Sequence, residues 1–335
     1  MTKLLSALSV KEESKYAYSF GVVKELERSL LTKDKFDRLI EAKDIDELFK
    51  LLIETAYSEA TAENFESVLN KELKKVYLTL SKFAPDKQFI ELFFLEYDFH
   101  NLKVLLKAKL QEKIAVEELF VELGEIGKEK MSAFLRLELS EIIKQLGDYS
   151  EIIQEIENKF AQIKDPRIIE NILDRALFEK MYSYTNDNEL LKEIVAIYAD
   201  IANFKIAVRS KNLVRAKDLI VFVPHGKLSA KEAGTFYERG LEYFIKELTK
   251  YYEKILPQAL EYYEKWRSWL LLEKLADDYI IKKLRERSFY VGVEPLIGYL
   301  LAKKTEIKLL RMLIVGKLAN LDIAKIKAQW RALYV

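Results

Sequence analysis

The stretch "YDFHNLKVLLKAK" at residues 97–109 returns as "YADIANFKIAVRSK" at 198–211 and, in looser form, around "EIKLLRMLIVGK" at 306–317. Aligning Asp98, Asp200 and Glu306 also aligns Leu102, Phe204 and Leu310, and Lys103, Lys205 and Arg311. The same register matches Ala108, Ser210 and Gly316, then Lys109, Lys211 and Lys317, in steps of 102 and 106 residues. A second marker keeps the order. "VLNKELKKVY", "ILDRALFEKM" and "LADDYIIKKL" align on Asn70, Asp174 and Asp277, 104 and 103 residues apart. Earlier again, segments opening at Thr32, Gly127 and Ser229 each start with small and charged residues and continue with helical period. Three markers in one order at nearly constant spacing describe a threefold internal repeat, with repeats at 1–112, 113–215 and 216–335. Units this long exceed the usual solenoid period, so the expectation is a closed, funnel-like body on a pseudo-threefold axis.

Only 10 Gly and 5 Pro interrupt 335 residues, and apolar positions recur at steps of three and four, as in Phe20, Val23, Leu26 and Leu30. Breaks fall near Pro85, Pro166, Pro224–Gly226, Pro257 and Gly292–Pro295. "LIVFV" at 219–223 is the one strand-ambiguous segment. The fold class is all-α, with three similar helical domains.

Within the recurring helix, Leu102, Val104, Leu105 and Leu106 form a broad apolar arc opposed by Lys103 and Lys107. Phe204, Ile206, Ala207 and Val208, opposed by Lys205 and Arg209, repeat that layout. Asp98, Asn101, Asp200 and Asn203 then project into the apolar arc, where buried polar groups need partners. They are expected to be polar pins that fix how neighbouring units dock; the sharper alternative is that they line a socket for another protein. The third copy departs from the pattern, with Leu309 in place of the asparagine. The small residue at 108, 210 or 316 is expected to permit close helix approach.

Chemistry is hard to find. With no cysteine, thiolate and disulfide chemistry are excluded. His100 reads as a packed or rim histidine and His225 as a loop histidine, with no second ligand or nucleophile nearby in sequence. "GEIGKEK" at 124–130 lacks the spacing and hydroxyl of a phosphate-binding loop. Carboxylate pairs such as Asp277–Asp278 fit a solvated face or a helix contact. Tyr262, Tyr263, Trp266 and Trp269 follow helical spacing, which favours core packing over a binding hot spot. No catalytic residue, cofactor site or metal site is expected. A balance of 55 basic and 54 acidic residues argues against nucleic acid as a partner. No apolar run approaches the roughly 20 residues of a membrane-spanning helix, and the start does not read as a signal peptide.

The stretch "YDFHNLKVLLKAK", supported by "YAYSFGVVKELERSLLT" and "EIKLLRMLIVGK", resembles the C subunit of the archaeal and bacterial A/V-type ATP synthase, a relative of the d subunit of eukaryotic V-ATPase. The likeness runs along essentially the whole chain. It implies a non-catalytic, funnel-shaped rotor component on the cytoplasmic face of the membrane. Such a component sits on the membrane rotor ring of c/K/L-type proteolipids, receives the D and F proteins of the central stalk, and passes torque for proton or sodium transport. Repeat-start segments near Lys33, Lys128 and Lys227 are the candidates for ring contacts, and the isolated chain is expected to be monomeric. Two rival readings are a helical-repeat scaffold with an unrelated partner and a helical enzyme assembled from scattered carboxylates and lysines.

Overall fold

A computed structural model describes residues 2–111, 116–210, 222–253 and 255–335. Every regular element among the described residues is a helix. The chain divides into two compact units, Met1–Ile90 with Gln258–Val335, and Glu91–Pro257. In the first unit run α1 (Thr2–Glu27), α2 (Lys33–Glu41), α3 (Ile45–Leu52), α4 (Phe65–Phe83) and, at its border, α5 (Gln88–Glu91). The second unit begins with α6 (Leu95–Leu110), α7 (Lys128–Phe134), α8 (Leu139–Gln145) and α9 (Ser150–Ile163). It continues with α10 (Arg167–Ser183), α11 (Glu189–Ser210), α12 (Ala230–Gly234), α13 (Phe236–Arg239) and α14 (Leu241–Thr249). The chain then returns to the first unit through α15 (Leu256–Trp266), α16 (Leu270–Glu286), α17 (Glu294–Leu318) and α18 (Ile323–Ala328).

Local chemistry sets these boundaries. The Thr32 hydroxyl caps α2 by accepting from the Lys35 N–H, and Phe36, Leu39 and Ile40 form its buried stripe. Asp44 caps α3 in the same way through the Glu47 N–H. Ser229 and Glu232 make a reciprocal capping box at α12. At the other end of a helix, Lys164 turns into the left-handed region (φ 57°) and stops α9 just before Pro166.

The centre of the first unit is α17. Leu296, Ile297, Leu300, Leu309, Leu310, Leu313 and Ile314 are all fully buried, on every side of the helix, which is the pattern of a helix enclosed by others. It packs against α1, α3, α4, α16 and α18. In the second unit α6 packs on α10 much as α17 packs on α4 in the first. Both pairings join a recurring helix to a helix of the second sequence marker. The C-terminal residues reach the first repeat as well, where Trp330 meets Phe36 edge-to-face at 5.1 Å between centroids.

Three expectations change or move out of view. Phe222 and Val223 of the strand-ambiguous segment are irregular and buried, and residues 219–221 lie outside the described residues, as does Lys211. The aromatic cluster is no core: Trp266 is 60% exposed because α15 ends at it and Arg267 turns away at φ 52°. Tyr263 and Trp269 stack on each other across that turn, 3.7 Å apart. The close approach expected at the small residue holds at Gly316, where a Cβ would lie 2.5 Å from the Ile326 Cδ1 of α18.

Phe36→Ala empties the space between α2 and the C-terminal segment, and is expected to lower stability by about 3–5 kcal/mol in urea titrations. A loss under about 1 kcal/mol would mean that this contact does not anchor the C-terminus.

Candidate functional site

The recurring helices carry their polar residues to chain just ahead of α7, α12 and α2, which form the first, second and third junctions. At the first junction Asp98 is 3% exposed and accepts the backbone N–H groups of Ile126 (2.8 Å) and Glu125 (3.2 Å), just ahead of α7. At the second, Asp200 accepts the Lys227 N–H (2.8 Å) and the Tyr252 hydroxyl (2.7 Å), just ahead of α12. At the third, Glu306 accepts the N–H of Leu31, just ahead of α2, and the Tyr57 hydroxyl (2.7 Å). Ile126, Leu228 and Leu31 each precede the N-cap of a helix that opens the third sequence marker, α7, α12 and α2.

Space at the junctions is tight. A Cβ on Gly124 would lie 2.5 Å from Asp98 Oδ1, and one on Gly226 2.2 Å from Asp200 Oδ1; Gly124 also needs φ +96°. The matching residue at the third junction is Ser29, and there the carboxylate stands on the longer Glu306.

Asn101 and Asn203 do one job twice. Asn101 accepts the Val121 N–H and donates to the Val121 carbonyl, both at 2.9 Å, with a further bond to the Ile126 carbonyl. Asn203 brackets Val223 through its N–H (2.7 Å) and its carbonyl (2.9 Å). Both asparagines are buried and hold extended chain whose backbone has no helical partner. The residue equivalent to Val121 and Val223 in the first repeat is Leu26, which lies inside α1, and its carbonyl already accepts from Ser29. Nothing there needs an asparagine, which accounts for Leu309.

The cations of the recurring helices also cross the junctions. Lys103 pairs with Asp174 on α10, and Lys107 with Glu170 on the same helix. Arg311 donates from Nε to both Glu66 oxygens on α4, at 2.8 and 2.9 Å, and reaches Asn70. Lys109 donates to the carbonyls of Leu135, at the end of α7, and Leu137. Lys317 donates to the Ala42 carbonyl at the end of α2, so the same lysine neutralises the same helix C-terminus in two repeats. Lys205 is half-buried on α11. Lys33 is exposed beside Asp37, Lys128 is half-buried at the first position of α7, and the Lys227 side chain is exposed.

Burial holds Asp98 above the usual carboxylate range, partly offset by the Ile126 and Glu125 amides. Asp200 is raised by burial too, against the pull of Tyr252 and Lys227. Burial, then the charge of Glu306, pushes Tyr57 well up; burial, then Asp98, does the same to Tyr149. A tyrosine thus attends each junction carboxylate, at 57, 149 and 252, a recurrence that sequence reading missed.

Neither histidine approaches a ligand set. His100 Nε2 lies 3.0 Å from the Leu119 carbonyl, and His225, at φ 68°, stacks on Tyr182 at 3.9 Å with burial lowering its pKa. Among the described residues no cluster of His, Asp and Glu is placed to hold a metal ion. No helix among them is long and apolar enough to cross a membrane. A buried charged cluster lies at the third junction, where fully buried Lys303 is 2.7 Å from Glu306 and 3.4 Å from Glu72. Sequence reading passed over both Lys303 and Glu72. Their signal is a lysine and a glutamate at positions that hold Leu95, Ile197, Ala176 and Tyr279 in the other repeats.

The model of the ATP synthase (C/AC39) subunit family matches residues 20–329. Similar proteins include the C subunit of the A-type ATP synthase of Methanocaldococcus jannaschii, 27% identical over 93% of this chain and 85% of its own length. The C subunit of the V-type sodium ATPase of Enterococcus hirae is 27% identical, covering 93% of this chain and 97% of itself. Its counterpart in the A-type ATP synthase of Desulfurococcus sp. is 29% identical over 88% and 85%. The chain belongs to the ATP synthase (C/AC39) subunit family, the non-catalytic C subunits of A/V-type ATP synthases and ATPases.

Asn101→Leu and Asn203→Leu strand buried backbone groups and are each expected to lower stability by about 1–3 kcal/mol. Unchanged stability with a lost partner interaction would make them interface residues instead. A second test uses pH. Because the folded pKa of Asp200 is raised, its stabilising contribution is complete below the unfolded value near 4 and is lost as pH rises through the folded value. The stability of the parent minus that of Asp200→Asn should therefore shrink as pH rises from about 4 to 7, read by urea titration at each pH. A difference that grows over that range contradicts the assignment.

Proposed function

We propose that this chain is the adaptor of the central rotor in an A/V-type ATP synthase or ATPase. In this reading its three repeats, at 1–112, 113–215 and 216–335, surround a pseudo-threefold axis as a funnel. The wide cavity receives the D and F proteins of the central stalk. The other end rests on the membrane rotor ring at the cytoplasmic face, with the segments at Lys33, Lys128 and Lys227 as candidate contacts. The chain transmits torque between ATP chemistry and proton or sodium transport without performing either.

The observation that carries this reading is that Asp98, Asp200 and Glu306 each hold the chain just ahead of α7, α12 and α2, which is the order that three repeats closed in a ring would give. An adaptor under torsion must not shear between its parts. Buried, directional hydrogen bonds at every junction, each backed by a packed apolar face, supply that resistance. Differences among the copies are compatible with a stalk that does not share the threefold pattern. Family membership supports the same assignment.

Native mass spectrometry of the purified chain mixed with the D–F pair of the same organism tests it. The expected result is a one-to-one-to-one complex, with the chain alone running as a monomer. No complex, under conditions where D and F pair with each other, would leave a helical scaffold with an unrelated partner as the better reading.

A further inference from the structure

The third junction differs from the other two in one physical respect: residues about to pair there are 275 apart in sequence, against 27 for the carboxylate bonds of the first and second. The carboxylates of α6 and α11 meet chain that follows close behind them in sequence. The last recurring helix, α17, has to tell α4 from α10, which carries the corresponding marker segment in the next repeat. Apolar packing discriminates poorly among them, because "hydrophobic and about the right size" is met by each.

At this junction a buried pair of complementary charges stands where the other repeats have apolar or neutral residues. Lys303 occupies the place of Leu95 and Ile197, and Glu72 on α4 the place of Ala176 on α10 and Tyr279 on α16. Lys303 is fully buried, with its ammonium 2.7 Å from Glu306, 3.4 Å from Glu72 and 5.4 Å from the centre of the Tyr57 ring. Glu72 is 9% exposed, with Lys75 of its own helix 3.8 Å away, and Tyr299 adds a phenol to the same cluster. A buried pair of this kind adds little net stability over apolar residues of similar volume, but an unpaired member is costly. Docked on α10, α17 would place Lys303 against Ala176, and Glu72 on α4 would lose Lys303.

We infer that Lys303 and Glu72 are an address: a buried charge pair that directs α17 onto α4 and rejects the equivalent helix α10. Mispairing leaves one acceptor helix open on each chain, and open acceptors recruit other copies. The pair therefore protects the folding of a threefold-repeated chain from non-closing association.

The test is dilution refolding of the full chain from urea, read by size exclusion with light scattering. Lys303→Leu with Glu72→Ala installs the residues of the other repeats and leaves Glu306 its bonds to Leu31 and Tyr57. Its soluble oligomer fraction is expected to exceed the parent's by at least about threefold at equal protein concentration. Lys303→Glu with Glu72→Lys reverses the pair and should restore a monomer yield close to the parent's. Parent-like monomer yield from the neutral pair overturns the address, because apolar packing alone would then suffice. So does association of both pairs, since the defect would then follow disturbed packing rather than lost charge recognition. Should the neutral pair give no folded protein at all, the reversed pair decides: monomer upholds the address and aggregate overturns it.

Discussion

A carboxylate on one helix that accepts the backbone N–H ahead of the next repeat's first helix is the contact on which the rest depends. The N–H groups of the irregular chain ahead of a helix have no ladder partner, so a donor in need of an acceptor is present there. The charge also meets the positive end of the helix dipole. Sinking that charge into an apolar arc is costly, and the raised pKa of Asp98 and Asp200 records the cost. The contact is tolerable only where the donors are fixed, the turn has room and apolar packing surrounds it. Gly124, Gly226 and the buried Leu31, Ile126 and Leu228 meet those conditions.

Much of this was readable before any coordinates. The recurrence of Asp98 with Asn101, and of Asp200 with Asn203, inside an otherwise apolar arc called for buried hydrogen-bond partners rather than a solvated face. Helical class followed from scarce Gly and Pro, and the segments opening at Thr32, Gly127 and Ser229 begin at the N-caps themselves. Partners were beyond reach. That Asn101 brackets Val121 depends on an extended backbone with no pattern of its own, and that Lys109 and Lys317 finish off α7 and α2 depends on three-dimensional register. Trp266 misled because helical spacing says which residues share a face but not where the helix stops.

Leu309 shows how a departure from a repeat can be informative. Read alone, it weakens the case for three equal copies. Placed against Leu26 at the end of α1, it marks the one junction where the backbone is already satisfied by its own helix. The asparagine is dispensable there and an apolar side chain is the better filling.

The same substitution bears on how the last junction forms. Closing a loop of 275 residues rather than 27 costs at most about 2 kcal/mol more in chain entropy, since the cost grows only with the logarithm of length. Lys303, Glu72 and Glu306 do not offset that, because desolvation cancels most of what their attraction gains. Leu309, fully buried where its counterparts are amides, contributes about 1.5–3 kcal/mol by burial alone, which is the right size. Arg311 on Glu66 and Lys317 on Ala42 add contacts at the edges, where solvent screens them. The division of labour at the third junction then follows from magnitudes. Apolar burial supplies the free energy that a covalent linker supplies elsewhere, and the buried charges decide which helix receives it.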